Sequence, residues 1–249
     1  MSWQYNYADI HSRILPGIDD GSRSMEQTVR MLHMASAENI TTIIATPHYI
    51  IGADNPPVEK LVKLAEQVQQ EAVKINKDFK ILLGNEIYCR DTFFKDAVID
   101  ALKSGKALTL AGSRYVLVEF AYSASFKSIR LCISNFIYHG YIPILAHIER
   151  YRNIYRNMSN IEELVKMGCC IQMNCRSVTG GYMRLKAPYN RKLINYGLVH
   201  LIASDCHDDV KRIPIMQKAV SYLESKCDKE LLQEITIENT IKIIENKYI

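Results

Sequence analysis

The chain has 249 residues, 31 Lys and Arg against 27 Asp and Glu, a net charge of +4, and 48% hydrophobic residues, a composition that excludes a disordered, collagenous or fibrous protein. The charge is spread without a basic block or an aromatic RNA-binding motif, which excludes nucleic acid as the default partner. The longest apolar runs, Thr41–Thr46 and Ile142–Ala146, fall far short of the roughly 18 residues that cross a bilayer, so a membrane protein is not expected.

In chain order, short apolar segments alternate with stretches of helical period. The first strand is predicted at Tyr7–His11, followed by a helix with Met25, Val29, Leu32 and Ser36 on one face and Ser24 placed before Gln27 as a capping box. Strand two is Thr41–Thr46. After Pro56-Pro57, the stripe Val58, Leu61, Val62, Ala65, Val68 and Ala72 marks a second helix. Strands three and four are Lys80–Ile87 and Tyr115–Phe120, with a helix over Ser125–His139. Strand five, Ile142–Ala146, precedes a helix at Ile161–Met167; strand six, Cys169–Met173, precedes one at Pro188–Tyr196; strand seven, Val199–Ala203, precedes helices at Met216–Lys226 and Glu238–Asn246. Each strand is nearly wholly apolar, as buried parallel strands are. With no Pro/Gly/Ser linker to divide the chain, the reading is a single α/β domain over 1–249, a seven-stranded (β/α) barrel.

The seven cysteines form no CxxC pair, and Cys169 and Cys170 lie at or inside a strand instead of opening a phosphate-cradling loop. Reduced buried thiols are the expectation, and a thiol nucleophile is disfavoured. The first residues, Met1 to Tyr7, lack the basic and apolar segments of a signal peptide, so the expected location is cytoplasmic.

Residues able to bind metal gather at the carboxyl ends of the predicted strands. Asp9 and His11 end the first; His48 follows the second; Glu86 ends the third; Glu119 ends the fourth; His147 follows the fifth; Asp205 and His207 follow the seventh. In a parallel barrel these ends open on one face, where active sites are built. Taken singly, each has an ordinary structural use: a strand-end His is usually a hydrogen-bonded structural group, Asp9 and Asp20 could cap turns, and Glu119 could pair with Arg114 or Arg150. Four of the seven His at one end of the strands, with carboxylates in the same register, outweigh that reading. A mixed nitrogen and oxygen set suits Mn²⁺, Fe²⁺ or Zn²⁺ better than a dedicated Mg²⁺ or Ca²⁺ site.

The segment Asp9-Ile10-His11-Ser12-Arg13-Ile14-Leu15-Pro16-Gly17-Ile18-Asp19-Asp20-Gly21 resembles the opening of the PHP (polymerase and histidinol phosphatase) superfamily. More narrowly, the chain is similar to the bacterial metal-dependent tyrosine-protein phosphatases found with capsule and exopolysaccharide genes. The likeness continues through Ala45-Thr46-Pro47-His48, Gly84-Asn85-Glu86, Leu117-Val118-Glu119-Phe120, Ala146-His147-Ile148-Glu149-Arg150-Tyr151, Gln172-Met173-Asn174 and Ala203-Ser204-Asp205-Cys206-His207. The resemblance implies a distorted seven-stranded (β/α) barrel of PHP type. It implies up to three ions, Mn²⁺ before Fe²⁺ or Zn²⁺, held by His11, Asp20, His48, Glu86, Glu119, His147, Asp205 and His207, with Glu86 bridging two of them. Arg150 would hold the phosphate, with Arg212 as a second basic residue, and Arg150, Asp205 and His207 would serve the reaction. That reaction would be metal-assisted hydrolysis of phosphotyrosine in a flexible protein tail, that of a polysaccharide-assembly tyrosine kinase. Tyrosines in 151–155 and 182–189 are candidates for aromatic walls, although such residues more often pack in the core or the surface.

The family opens with His-x-His, whereas this chain has His11-Ser12-Arg13, and arginine stays protonated and cannot ligate a metal. Arg13 either fills part of an ion's place or turns outward, and fewer ions than the family's set are expected. Ile148 in place of the family's Pro is a milder change. Two alternatives follow: a histidinol-phosphate phosphatase, against which Pro-Gly-Ile-Asp-Asp-Gly speaks, and a metal-poor barrel that binds phosphoprotein or phosphosugar without turnover.

Overall fold

A computed structural model describes residues 6–90, 95–180 and 186–249. Among these are nine strands, all paired in parallel: β1 (Tyr7–Ser12), β2 (Ile40–Ala45), β3 (His48–Ile50), β4 (Lys80–Leu83), β5 (Glu86–Cys89), β6 (Tyr115–Phe120), β7 (Ile142–Leu145), β8 (Cys170–Asn174) and β9 (Leu201–Ala203). They form two sheets, ordered β1-β2-β4 and β3-β5-β6-β7-β8-β9. The α/β class and the parallel pairing agree with the sequence reading. The count of seven does not.

The difference lies at two breaks side by side. The predicted strand Lys80–Ile87 divides at Gly84-Asn85 into β4 and β5, which belong to different sheets, and the chain after β2 resumes as β3 beyond Thr46-Pro47. Pro47 has no N–H to offer the ladder. Asn85 instead bonds sideways, its Nδ2 donating to Pro47 O at 3.0 Å and its Oδ1 accepting from Leu108 N at 2.7 Å. Gly84 is pressed against Leu110 so closely that a Cβ there would lie 2.6 Å from Leu110 Cδ2. The backbone continues across the breaks, with Gly84 N donating to Ala45 O at 2.9 Å and Glu86 N to Pro47 O at 3.1 Å. At the far edges β1 and β9 meet through Asp205 N to His11 O and Arg13 N to Cys206 O, each 2.9 Å.

The strands split their apolar residues by the period of two. Ile10, Ile44, Tyr115, Leu117, Ile144 and Leu201 face one cluster between the strands, while Ile43, Val116, Val118, Leu145 and Ile202 face a second cluster shared with the helices. Glu119 lies on the same face of β6 as Tyr115 and Leu117, so alternation alone carries its carboxylate to the end of the inner cluster.

The helices relevant to the site are α1 (Met25–Ala37), α2 (Val58–Ile75), α3 (Lys95–Lys103), α4 (Phe126–Tyr138), α5 (Arg152–Tyr155), α6 (Met158–Lys166), α7 (Cys175–Val178), α8 (Ala187–Asn195), α9 (Gln217–Leu223), α10 (Lys229–Gln233) and α11 (Asn239–Ile244). Ser24 caps α1 by accepting from Gln27 N, as its sequence predicts. The stripe of α2 buries Leu61, Ala65, Val68 and Ala72, but Val62 stays exposed. The sequence reading lacked α3, α5, α7 and α10. No helix among the described residues is long and apolar enough to cross a membrane.

Candidate active site

The strand ends converge as expected, with one change of register. His48 and Glu86 do not end strands; they begin β3 and β5 and pair directly with each other. His147 and Asp205, just beyond β7 and β9, both hold positive φ, 35° and 51°. Residues other than glycine rarely adopt that region; it costs on the order of 1–3 kcal/mol and persists only where the surroundings impose it. Here they do: His147 N donates to Gln172 Oε1 at 2.7 Å, and Asp205 N donates to His11 O.

Glu86 is the centre. Its Oε2 lies 3.0 Å from His11 Nε2 and its Oε1 3.0 Å from His147 Nε2. His147 Nε2 is also 3.2 Å from Glu119 Oε1, and His11 Nε2 is 3.4 Å from Asp205 Oδ1. At the rim, His207 Nε2 stands 3.4 Å and His48 Nε2 3.8 Å from the Asp20 carboxylate. The eight residues named as metal ligands therefore meet in one place, in three groups: His147 with Glu119 and Glu86 Oε1; His11 with Asp205 and Glu86 Oε2; and Asp20 with His48 and His207.

Their surroundings fix which atoms face inward. Gln172 Oε1 stands 3.4 Å from His11 Nδ1, and His207 Nδ1 donates to Asp205 O at 3.0 Å, leaving each Nε2 to the cluster. Burial opposes charge on Glu86, but His11 and Arg13 overcome it and hold the carboxyl well below its usual range. Burial likewise disfavours a charged His147, but hydrogen bonds to Glu119 and Glu86 prevail and bring it to about 9. For His48, burial and then the charge of Arg13 push the imidazole down, toward the neutral form that binds metals.

The residues fit a divalent ion on one side of Glu86. His147 Nε2 lies 3.0 Å from Glu86 Oε1 and 3.2 Å from Glu119 Oε1, spans suited to an ion with bonds of about 2.0–2.2 Å. One donor atom each from His48, Glu86 and Glu119 also falls within 4.8 Å of the others, but His48 is shared with the Arg13 side. The opposite side is different. Arg13 is 2% exposed and turned inward, which overturns the outward course offered for it in the sequence. Its Nη2 donates to Glu86 Oε2 and lies 3.0 and 2.9 Å from the two ring nitrogens of His48. Its Nε faces Asp19 Oδ2 at 3.4 Å and Asp20 Oδ1 at 3.7 Å.

Asp9 is not in the cluster. Its carboxylate accepts from Ser204 N, Ser204 Oγ and His11 N, bracing β1 against the turn after β9, and burial raises its pKa. Arg114, offered as a partner for Glu119, binds Asn246 and Tyr248 instead.

Arg150 and Arg212 converge on a single oxygen. Their Nη2 atoms donate to Asp205 Oδ2 at 2.6 and 2.7 Å, beside Asn174 Nδ2 at 2.8 Å. Burial favours a protonated Asp205, but His11 and Arg150 outweigh it and hold the carboxyl below its usual range. From this point a cleft of about 710 Å³ opens, lined by Tyr122, Arg150, Arg152, Asn174, Arg176 and Lys186 among others. Tyr122 donates no sequence signal beyond standing two residues after β6, yet its hydroxyl accepts from Arg150 at 3.1 Å and its ring meets His147 edge-on. Among the described residues the expected tyrosine walls are not there: Tyr151 and Tyr155 are buried and Tyr189 bonds to Tyr155 O, while Tyr182 lies outside the described residues. The expectation that no cysteine has Cys-x5-Arg spacing is wrong: Cys170 and Arg176 have it, as do Cys206 and Arg212, but Cys170 lies in β8, which runs on to Asn174. Burial pushes the thiols of Cys170 and Cys206 up to about 12, far from a thiolate nucleophile.

Comparison with known proteins follows the same lines. Residues 7–245 match the family model described as capsular polysaccharide synthesis, CpsB/CapC. The tyrosine-protein phosphatase CpsB of Streptococcus pneumoniae is 33% identical over 97% of this chain and 99% of its own. A crystal structure from work on YwqE of Bacillus subtilis and CpsB of S. pneumoniae, described as metal-dependent tyrosine phosphatases, superimposes with a TM-score of 0.87 at 29% identity, covering 97% of this chain and 96% of that one. A phosphotriesterase homology protein of Escherichia coli, with phosphate in its active site, shares the fold alone: TM-score 0.64 at 10% identity, over 98% of this chain and 100% of that one.

Proposed function

This chain belongs to the CpsB/CapC family of capsular polysaccharide synthesis, and we propose that it is a metal-dependent protein-tyrosine phosphatase built as one domain over residues 1–249. The observation that carries the reading is the adjacency of the Glu86–His147–Glu119 donor group to two guanidinium groups converging on Asp205, one of which, Arg150, also lines an open cleft. β2 with β3, and β4 with β5, act as two kinked strands, so that the nine segments serve as the seven of a distorted PHP barrel closed between β1 and β9. The ligands are His11, Asp20, His48, Glu86, Glu119, His147, Asp205 and His207, and Mn²⁺ is the ion we favour over Fe²⁺ or Zn²⁺.

The bound metal supplies positive charge at the phosphoryl group and an activated water near neutral pH. Arg150 and Arg212 turn from Asp205 to the phosphate oxygens, which their forked donors match in pairs, and neutralise the charge that builds as the bond to the tyrosyl oxygen breaks. Asp205 holds both arginines in place until then. His207, with Nδ1 fixed on Asp205 O, would serve the reaction by giving Nε2 to the ion beside Asp20, and the attacking water's proton reaches the leaving phenolate through solvent. The ring of Tyr122 walls the substrate's aromatic ring. Phosphotyrosine extends far enough from its backbone to reach the buried cluster, which supports a flexible protein tail as substrate, that of a polysaccharide-assembly tyrosine kinase. Free buried cysteines support a reducing, cytoplasmic setting.

Turnover of matched phosphotyrosine and phosphoserine peptides and of histidinol phosphate, measured with Mn²⁺ and after chelation, tests this reading. Phosphotyrosine is expected to lead by at least tenfold, with activity abolished by chelation and in His147→Ala. A preference for histidinol phosphate would move the chain to that enzyme class, and binding of the phosphotyrosine peptide without turnover would make it a binding module.

A further inference from the structure

We propose that Arg13 is a resident cation that takes the place of one divalent ion in this cluster, so that the chain holds one ion fewer than its three donor groups would allow and keeps its tightest ion between Glu86 Oε1, Glu119 and His147. The inference rests on the reading of these donors as metal ligands and concerns how many ions they hold.

The donor groups differ in what already faces them. Glu86 Oε1, Glu119 Oε1 and His147 Nε2 face one another, and no atom of Arg13 bonds to them. Glu86 Oε2 and both nitrogens of His48 meet Arg13 Nη2, so a metal bonded to either residue on that side would have to share its position with a guanidinium nitrogen. Like charges in a buried site repel strongly, and an arginine cannot yield by losing its proton. Burial alone would discharge a weaker base, but Glu86, Asp19, Asp205 and Asp20 keep Arg13 charged.

The side chain is also unable to leave easily. Its backbone is held on both sides, N donating to Cys206 O at 2.9 Å and O accepting from Ser22 N at 3.1 Å. Gly21 closes over it: a Cβ at that position would lie 2.3 Å from Arg13 Cβ. Asp19 serves the arginine specifically, with Oδ2 facing Nε while accepting from His48 N at 3.0 Å, and Oδ1 accepting from Gly21 N at 3.1 Å. Nε and Nη1 remain buried without hydrogen-bond partners, the mark of a group held here by charge more than by a fitted hydrogen-bond site. Asp19, Asp20, Glu86, Glu119 and Asp205 crowd the cluster, and a fixed positive group among them does part of the work of a metal without needing one to be bound.

The test is metal stoichiometry, which needs no substrate and so separates this inference from the phosphatase reading. Wild-type protein and Arg13→His are stripped, loaded with Mn²⁺, desalted and analysed by elemental mass spectrometry. Arg13→His is expected to carry one more Mn²⁺ per chain, and wild type no more than two. Equal content in the two proteins, or three ions in wild type, would show that Arg13 swings aside when metal binds and would overturn the inference. Should Arg13→His fail to fold, equilibrium dialysis of wild type alone decides by the same count. A melting comparison in chelator gives a second readout: stripped Arg13→Gln is expected to melt at a lower temperature than stripped wild type, and to recover more on addition of Mn²⁺. Equal melting temperatures of the two stripped proteins would count against a cationic role.

Discussion

The cluster depends on residues whose own chemistry is modest. Gln172 is an instance: its Oε1 accepts from His147 N and stands 3.4 Å from His11 Nδ1, while its Nε2 donates to Asn174 Oδ1, and Asn174 in turn holds Asp205. One amide thereby orients donors on both sides of Glu86. Removing such a partner of a metal ligand costs roughly 10–100-fold in metal affinity. Gln172→Leu is accordingly expected to weaken Mn²⁺ binding by that factor in a chelator-competition titration, while Gln172→Glu, which keeps an acceptor, loses less. Unchanged affinity in Gln172→Leu would remove this role. Seven of the eight proposed ligands were legible in the sequence because each is a His or carboxylate at or just beyond a predicted strand, whereas Asp20 came only from the family resemblance. Gln172, Asp19 and Tyr122 were not legible as site residues, because their parts depend on which distant segment faces them. Arg13 was visible as a departure, but whether it pointed in or out depended on Gly21 closing over it.

At the scale of elements, the strands were readable as apolar runs and their kinks were not. Lys80–Ile87 looks continuous because Gly84-Asn85 interrupts the apolar pattern for only two residues, and the cause of the break lies elsewhere in the chain, at Pro47, Leu108 and Leu110. The break has a consequence for the site, since it starts β5 at Glu86 in register with His48. Gly84→Ala tests that linkage. Its Cβ would meet Leu110 Cδ2 at 2.6 Å and Leu110 Cα at 3.1 Å, backbone as well as side chain, so the neighbours cannot simply rotate away. Overpacking of this kind costs about 1–3 kcal/mol. Urea unfolding of the metal-free protein is expected to show a loss in that range. Because Glu86 is two residues on, Mn²⁺ affinity should fall as well. A variant as stable as wild type would mean that the 3₁₀ turn at Leu110–Gly112 gives way freely.

For the molecule as a whole, the end of the strands opposite the site carries a different kind of sensitivity. His200 joins three parts of the chain there: its N donates to Ile171 O at 2.9 Å, its Nδ1 accepts from Ile171 N at 3.1 Å, and its O accepts from Asn239 Nδ2 at 2.9 Å, so β8, the start of β9 and α11 meet on one residue. Accepting a backbone N–H requires an unprotonated Nδ1, and burial lowers the imidazole from 6.5 to about 4. The sign follows from which state binds the proton. Below 6.5 the unfolded chain takes up a proton that the folded chain refuses until about 4, so stability is complete above that interval and is lost as pH falls through it. At pH 5 the loss from this one group is on the order of 2 kcal/mol. His200→Asn keeps a short acceptor for Ile171 N and removes the titration. Urea unfolding of metal-free protein at pH 7 and pH 5 should therefore show a smaller fall for the variant than for wild type, by about that amount, since the acidic cluster titrates equally in both. Equal falls would mean that His200 accepts its proton without leaving Ile171, and that acid sensitivity resides at the carboxylate end of the strands.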